Sequence, residues 1–341
     1  MKQLQDLMKD KKIFRLLIIG VLIIIIMSIL TNGRFLYIKN LSSMLFLIPE
    51  LGILSLGIMI AMIVGGIDLS LVSIANLSAI LATKFILYMN GSPIGIVLGI
   101  LLGLLIGAIC GFINGFLISR INVHPILVTL GTFQLFQGIG VVITKGYAVT
   151  NLPQAFIHIG NGSILNIPIP FIVLLMVWAF VAFLLNKTGF GQSLYLIGTN
   201  YKASKLSGLN SDQILNITYT IVGIIGAIAG IIMVARTNSA KSDYGLSYTL
   251  QSILICMLGG VNWSGGVGKS IGIIISVFIL QFLSSGFSLM RYSNFFKDFT
   301  SGAFLLFILI FYHYMGIYDE NKSKKLLKKM NNTATDGGGT K

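Results

Sequence analysis

Long runs of apolar residues, separated by short polar segments, dominate this chain. A helix needs about 20 apolar residues, at 1.5 Å each, to cross a bilayer. Hydrophobic residues make up 55% of the chain and charged residues only 10%, which leaves too little polar surface for a water-soluble globule. We predict an all-α polytopic membrane protein with about ten transmembrane helices. The predicted spans lie near 13–30, 42–65, 70–89, 93–119, 124–144, 168–186, 214–235, 249–262, 269–286 and 299–316.

The basic residues predict the orientation of these spans. Lys and Arg number 24 against 10 Asp and Glu, and many of them lie at the two ends of the chain. An even number of spans leaves both termini on one side, which then holds about 16 basic residues against 7 on the other. Both termini are therefore predicted to be cytoplasmic. Because the charges follow topology, the net charge of +14 does not indicate nucleic acid as a partner.

The apolar runs and the basic ends together divide the chain into three predicted parts. Residues 1–12 form a cytoplasmic N-terminal segment, and residues 13–317 form the transmembrane domain. The first apolar run ends without a cleavage site of small residues, so it is expected to stay as an anchor. Residues 318–341 form a basic, partly disordered cytoplasmic tail that either rests on anionic membrane lipid or is simply solvated.

Glycines and polar residues interrupt two of the apolar runs, at Gly65–Ser70 and at Leu258–Gly268. A backbone group without a hydrogen bond in lipid costs several kcal/mol, so irregular backbone survives at membrane depth only inside protein or facing water. Both segments are expected to be broken or re-entrant places, where helices end, bend or line a cavity.

The fourth predicted span carries a glycine at every fourth position. Residues four apart share one helix face, so these glycines form a smooth strip that another backbone can approach closely. The strip is either a subunit contact or sliding surface, or tight packing inside one bundle, and we favour the packing. Its members are Gly95, Gly99, Gly103, Gly107, Gly111 and Gly115.

A polar segment of about 25 residues, 186–212, separates the sixth and seventh predicted spans. It is too short to fold alone, which usually takes more than about 40 residues, so we expect it to contact a soluble partner. Asn200, or the threonine before it, is a good N-cap, and Gly208 is a natural C-terminal stop. A short helix between them places Ala203 and Leu206 on one face, suited to a partner's groove. An ordinary interfacial loop helix is the alternative.

Few ionisable residues lie within the spans. Each costs at least about 2.5 kcal/mol near the bilayer centre and needs a partner, water or a route to the surface. Glu50 and Lys84 both lie in the outer halves of adjacent spans, so we predict that they pair. Asp68 precedes a helix start and is expected to cap it, with Ser70 as the competing cap and solute contact as the alternative role.

Patterns typical of enzymes and nucleotide sites are missing or incomplete. Ser264–Ser270 is similar to the end of a phosphate-binding loop, but Trp263 stands where its first glycine is required and an apolar span replaces the preceding strand. The histidines and cysteines form no catalytic or metal-binding pattern. The histidines are His124, His158 and His313, and the cysteines are Cys110 and Cys256. We therefore predict no catalytic residue, cofactor or metal site.

Four blocks of sequence resemble, in order and spacing, the permease subunits of ribose-type ATP-binding cassette importers. They are Gly65–Ser70, Pro125–Thr132, Ile197–Gly208 and Leu258–Gly268, within a similarity that covers roughly 40–315. The resemblance implies a multi-pass protein of the bacterial plasma (inner) membrane that pairs with a second permease. It also implies an extracytoplasmic solute-binding protein and a cytosolic ATPase subunit, which binds the ATP and magnesium.

The resemblance also implies site residues. Within a cytoplasmic coupling loop over 187–213, the helix that docks on the ATPase comprises Asn200, Tyr201, Lys202, Ala203, Ser204, Lys205, Leu206, Ser207 and Gly208. Residues implied near the solute path, each of which could instead tie helices together, are Asp68, Ser70, Asn76, Asn114, Thr129, Thr132, Gln134 and Gln137.

We therefore predict the permease subunit of an importer that forms the path for a ribose-like monosaccharide or a related small polar solute. Ser239–Asp243, with Gly245, is similar to autoinducer-2 permeases, which often work as unlike pairs, so that solute and a heterodimer stay open. A gradient-driven carrier is less favoured because membrane carboxylates are sparse and the two halves do not visibly repeat. A membrane enzyme is a further alternative.

Overall fold

The computed structural model describes residues 11–293, 295–303, 306, 307 and 310. Twelve helices lie wholly within these ranges, together with a 3₁₀ turn at Arg34–Leu36, and residues 295–303 are also helical. The helices are α1 Lys11–Leu30, α2 Ile38–Ile63, α3 Leu71–Tyr88, α4 Pro93–Ser119, α5 Pro125–Thr144, α6 Gln154–Asn161, α7 Ile169–Lys187, α8 Gly189–Thr199, α9 Tyr201–Leu206, α10 Ser211–Thr237, α11 Leu246–Leu258 and α12 Ser270–Leu289.

Four two-residue strands form two small antiparallel ribbons. β1 (Val149–Thr150) pairs with β4 (Ser239–Ala240), and β2 (Ser163–Ile164) pairs with β3 (Ile167–Pro168). The connection from α5 to α7 carries three of these strands, whereas the connection from α7 to α10 carries α8 and α9. Since α7 crosses the bundle between these two connections, the ribbons lie at one end of the bundle and α8 and α9 lie at the other.

Within the described part of the chain, eight helices are long and apolar enough to cross a membrane, namely α1 to α5, α7, α10 and α12. The prediction of an all-α polytopic membrane protein is confirmed. The segment predicted as a span at 249–262 corresponds to α11, whose 13 residues extend only about 20 Å against about 30 Å of hydrocarbon, so it is too short to cross the membrane. Outside the described residues lie most of the predicted span at 299–316, residues 1–10 of the predicted N-terminal segment and the predicted tail.

The most deeply buried helices are α2, α3 and α10. α2 packs against α7, α10, α11 and α12, while α3 packs against α4, α5 and α10. α1, α4, α5 and α7 expose most of their apolar residues on the outside of the bundle, as lipid-facing helices do. α2 and α3 follow each other in sequence and share α10 as a neighbour, but their other neighbours differ. These other neighbours decide which polar groups can meet.

The glycine strip of α4 packs against α3 and α10 within the same chain. A Cβ atom built at Gly107 would lie 2.5 Å from the carbonyl oxygen of Gly223, and one at Gly115 would lie 2.7 Å from the Cα atom of Asn216. Real Cβ atoms do not approach other atoms this closely, so α4 and α10 touch through their backbones. The favoured prediction, tight packing inside one bundle, is confirmed.

Candidate coupling segment and solute site

α8 is anchored in the bundle at the end opposite the strand ribbons. Its N-cap is Thr188, whose Oγ1 accepts a hydrogen bond from the Gly191 backbone N–H at 3.1 Å. Leu194 and Ile197 are buried against the core, and the Tyr195 hydroxyl donates to the Gly268 carbonyl oxygen at 2.8 Å. α8 is therefore a fixed support for the helix that follows it.

α9 begins and ends where local sequence rules place it. The Asn200 side-chain oxygen accepts a hydrogen bond from the Ala203 backbone N–H at 3.0 Å, which makes Asn200 the N-cap. Gly208 has a φ of +90°, in the left-handed region that favours glycine after a helix end. The predicted short helix between these two residues is confirmed.

An acidic residue at the start of α10 holds α9 in place. The Tyr201 hydroxyl donates to Asp212 Oδ1 at 2.5 Å, and the Lys205 ammonium lies 3.0 Å from Asp212 Oδ2. Partial burial, followed by this carboxylate, raises the pKa of Tyr201 to about 12. The phenol therefore stays protonated at neutral pH and keeps donating to Asp212.

The remaining residues of α9 give it an outward face. The Leu206 side chain is 89% exposed, and Lys202 and Ala203 are exposed beside it, whereas Ser204 is buried against the bundle. Ser207 and Gly208 are exposed at the C-terminal end. An exposed leucine and alanine on a firmly held short helix are what a groove-binding helix presents to its partner.

Three glycine-containing segments meet beneath α8. The Gly266 backbone N–H donates to the Ile63 carbonyl oxygen at 2.9 Å. A Cβ atom at Gly265 would lie 2.7 Å from the Gly198 carbonyl oxygen and 2.9 Å from the Gly65 Cα atom. α8, the turn after α2 and the loop before α12 are thus in backbone contact. Both interrupted runs predicted from the sequence do end helices here.

The start of α5 joins the same place. The Thr129 hydroxyl donates to the Ile67 carbonyl oxygen at 3.1 Å. A Cβ atom at Gly66 would lie 3.0 Å from the Pro125 Cβ atom and would overlap the Tyr219 hydroxyl of α10. All four sequence blocks that carry the family resemblance therefore converge on one contact, which we call the glycine junction (residues 63–67, 125–129, 198–199 and 265–268).

Three residues predicted near the solute path form a buried network beside the glycine junction. Asp68 Oδ1 accepts hydrogen bonds from the Ser70 backbone N–H at 2.9 Å and from the Ser70 hydroxyl at 2.6 Å, and the Asn114 amide donates to the same hydroxyl at 2.8 Å. The N-cap residue of α3 is therefore Ser70, the competing candidate, and Asp68 holds Ser70 in place without capping the helix itself.

The other predicted path residues are spread over α3 and α5. The Asn76 amide donates to the carbonyl oxygens of Ser242, at 3.0 Å, and Tyr244, at 2.8 Å, and so ties the loop after β4 to α3. Thr132 donates to the Val128 carbonyl oxygen at 3.0 Å within α5. Gln134 is exposed in the middle of α5, and Gln137 is partly buried one turn later. The structure does not bring these residues together with the Asp68 network into one open site.

The predicted pairing of Glu50 with Lys84 is wrong. Glu50 forms a salt bridge with Arg236, through Nε at 2.5 Å and Nη2 at 3.2 Å, and accepts a hydrogen bond from the Tyr248 hydroxyl at 3.2 Å. Lys84 donates instead to the Ile143 carbonyl oxygen at 2.9 Å. The reason is the packing: α2 lies against α10 and α11, while α3 lies against α5. The predicted span ended at residue 235, but α10 continues through Arg236.

Sequence reasoning also missed a polar cavity. A space of about 610 Å³ lies between α2, α11, α12 and residues 297–301. One wall is the polar face of α12, where Gln281, Ser284, Ser285 and Ser288 recur at helical spacing. That spacing within a predicted span was the available signal. No group of three or more His, Cys, Asp or Glu side chains among the described residues could hold a metal ion.

Comparison with known proteins connects this geometry to a family. The family model of the branched-chain amino acid transport system permease component matches residues 40–309, most of the chain. The chain belongs to this family. The match includes the whole of the glycine junction, both short helices α8 and α9, and the cavity walls.

Curated relatives of this permease resemble it over most of their length. The ribose import permease protein RbsC of Bacillus subtilis is 34% identical over 86% of this chain and 90% of its own. The protein of the same name from Escherichia coli K12 is 30% identical over 89% of this chain and 93% of its own. The autoinducer 2 import system permease protein LsrD of Yersinia enterocolitica is 30% identical over 82% of this chain and 86% of its own. No solved structure matches this permease.

These relatives confirm the resemblance to permease subunits of ATP-binding cassette importers. The chain is a multi-pass permease of the inner membrane, and permease subunits of this kind are not themselves enzymes.

Proposed function

We propose that this permease forms the path for a ribose-like monosaccharide, in a pair with a second permease, and that a separate cytosolic ATPase drives it. An extracytoplasmic binding protein delivers the solute. The names of the relatives support this solute class. The basic residues support the orientation, with both termini, α8 and α9 on the cytoplasmic side.

One observation carries the coupling part of the proposal. α9 presents the exposed Leu206 and Ala203 to the cytoplasm, while α8 beneath it is in backbone contact with the turn after α2. Contacts this close leave no room for the segments to slide independently. A force applied to α9 would therefore reach α2 and α3 through the glycine junction. The ATPase supplies that force by binding ATP together with magnesium and hydrolysing the ATP.

The test uses two leucines of nearly equal exposure. Leu206 is 89% exposed on α9, and Leu165 is 91% exposed in the turn between β2 and β3 at the other end of the bundle. Leu206→Arg should abolish both co-purification with the ATPase and ATP-driven uptake of labelled ribose. Leu165→Arg should leave co-purification with the ATPase unchanged. Normal co-purification and uptake by Leu206→Arg would show that α9 is not the coupling helix.

A second solute, autoinducer-2, is supported by the relative that is 30% identical over most of the chain. Competition separates the two solutes. Unlabelled autoinducer-2 would suppress labelled ribose uptake at lower concentrations than unlabelled ribose if it were the true solute. ATP-independent uptake that stops when ion gradients are collapsed would instead indicate a gradient-driven carrier.

A further inference from the structure

The polar cavity has the size and position of a small-molecule site. Its volume of about 610 Å³ lies within the range of roughly 300–1,000 Å³ that is usual for ligand pockets. Gln281 is the twelfth residue of α12, about 16 Å along the helix from its first residue. The cavity therefore lies in the half of the bundle away from α9, on the side that the basic residues assign to the outside.

Gln281 is the most informative residue of the cavity wall. The residue is only 8% exposed, and its amide forms no hydrogen bond with another residue that the structure describes. The amide atoms are open to the cavity rather than fully buried, so water or a ligand can satisfy them. Here the amide borders a space large enough for a ligand.

The surrounding groups add donors and acceptors of hydrogen bonds. The hydroxyls of Ser247 and Ser284 border the cavity, and neither donates to another described residue. The Gln251 amide donates to Asp298 Oδ1 at 3.2 Å, which leaves its own carbonyl oxygen as an acceptor. Amides and hydroxyls in this arrangement can both give and receive hydrogen bonds, as each hydroxyl of a polyol does.

Charge and shape narrow the class of ligand further. Asp298 and Lys297 both line the cavity, so the described wall contains one acidic and one basic residue and favours neither sign of charge. Tyr248 and Phe287 add aromatic side chains next to the amides, and an aromatic ring can cover the apolar face of a small ring-shaped solute. An uncharged polyhydroxylated solute fits both features.

We infer that this cavity binds a neutral polyhydroxylated solute of monosaccharide size, and that Gln281 is its main hydrogen-bonding contact. The inference rests on the proposed function, since it places the transported solute. It differs from the path predicted from the sequence, which runs past Gln134 on α5 and does not include α11 or α12.

Uptake by the assembled importer tests the assignment. The permease, its ATPase and its binding protein are reconstituted in vesicles and supplied with labelled ribose. Gln281→Leu should raise the half-saturating concentration about fivefold or more, the effect of losing one hydrogen bond of about 1 kcal/mol, and should leave ATPase co-purification unchanged. Gln281→Asn, which keeps the amide, should recover part of the loss. Gln154→Leu, on the exposed surface of α6, is the matched control.

Gln134→Leu decides between the two routes. Wild-type uptake by Gln134→Leu together with weakened uptake by Gln281→Leu supports the cavity. Weakened uptake by Gln134→Leu together with wild-type uptake by Gln281→Leu overturns the cavity assignment and places the solute path along α5.

A second measurement does not depend on ribose being the solute. Both native cysteines, Cys110 and Cys256, are buried, so a Ser284→Cys variant offers a single accessible thiol for a membrane-impermeant maleimide. At least one neutral sugar among ribose, arabinose, xylose and glucose should slow its labelling severalfold, and glucuronate should not. If wild type fails to import ribose but another neutral sugar protects the thiol, the proposed solute is wrong and the cavity stands. If no neutral sugar protects it, the cavity assignment fails.

Discussion

Removing either partner of the buried ion pair should destabilise the permease, and by unequal amounts. The Glu50 side chain is 1% exposed and the Arg236 side chain is 24% exposed. In Glu50→Leu, the guanidinium can turn toward water, so we expect a loss of about 1 to 2 kcal/mol, mainly from broken hydrogen bonds. In Arg236→Met, the carboxylate stays buried with only the Tyr248 hydroxyl described as its donor, and the loss should be larger.

Arg236→Met leaves the Glu50 carboxylate buried without its cationic partner. The expected loss is about 3 to 4 kcal/mol, within the range known for removing one partner of a buried ion pair. The double variant Glu50→Leu/Arg236→Met removes both charges and should lie within about 1 kcal/mol of the wild type.

The assay is thermal unfolding of the purified permease in detergent, at one scan rate because membrane proteins often unfold irreversibly. With about 2 °C per kcal/mol for a chain of this size, Arg236→Met should lower the apparent Tm by about 6 to 8 °C and Glu50→Leu by half as much or less. A double variant as unstable as the sum of the two single variants would refute the pairing. A larger loss in Glu50→Leu than in Arg236→Met would refute the argument from burial.

Two further predictions use the same purified protein. Gly223→Ala should lower stability by about 1 to 3 kcal/mol, because the new Cβ would contact the Gly107 carbonyl oxygen and lie 2.9 Å from the Gly111 Cα atom. Gly131→Ala is the control, because an added Cβ there meets no atom of another segment within 4 Å, and it should leave stability unchanged. Equal Tm shifts for the two variants would contradict the packing. Asp212→Asn loses the bond to the exposed Lys205 and should change stability by less than about 1 kcal/mol. It should still lower ATP-driven uptake because α9 loses its salt bridge to α10 and keeps only the hydrogen bond from Tyr201, and unchanged uptake would contradict that role.

Local features of this permease were predictable because their signals are local. Apolar runs of sufficient length define the spans, the glycine spacing of α4 fixes a face, and Asn200 and Gly208 bound α9 through capping rules that need only a few neighbouring residues. The same holds for the break after α2, where Gly65 has a φ of +86°. Each of these depends on residues within one or two helical turns.

Contacts between distant segments were not predictable in the same way. Glu50 and Arg236 are 186 positions apart, and nothing in the sequence says that α2 packs on α10 rather than on α3. The segment of α11 was predicted as a full span because hydropathy does not distinguish a full span from a short apolar helix that starts at the left-handed Gly245. The cavity was missed since its walls come from both ends of the chain, although the polar face around Gln281 was visible.

The glycine junction gives a physical reason why four separate sequence blocks carry the family resemblance. A side chain at Gly198 would overlap the Ile63 carbonyl oxygen, and one at Gly66 would overlap the Tyr219 hydroxyl. Larger residues at either place would push α8 or α5 away from the α2 to α3 turn. Asp68, two residues after Gly66, holds the start of α3 through Ser70. In the proposed coupling, a displacement of α9 therefore reaches the N-terminus of α3 through stiff backbone contacts rather than through flexible side chains, which could absorb it.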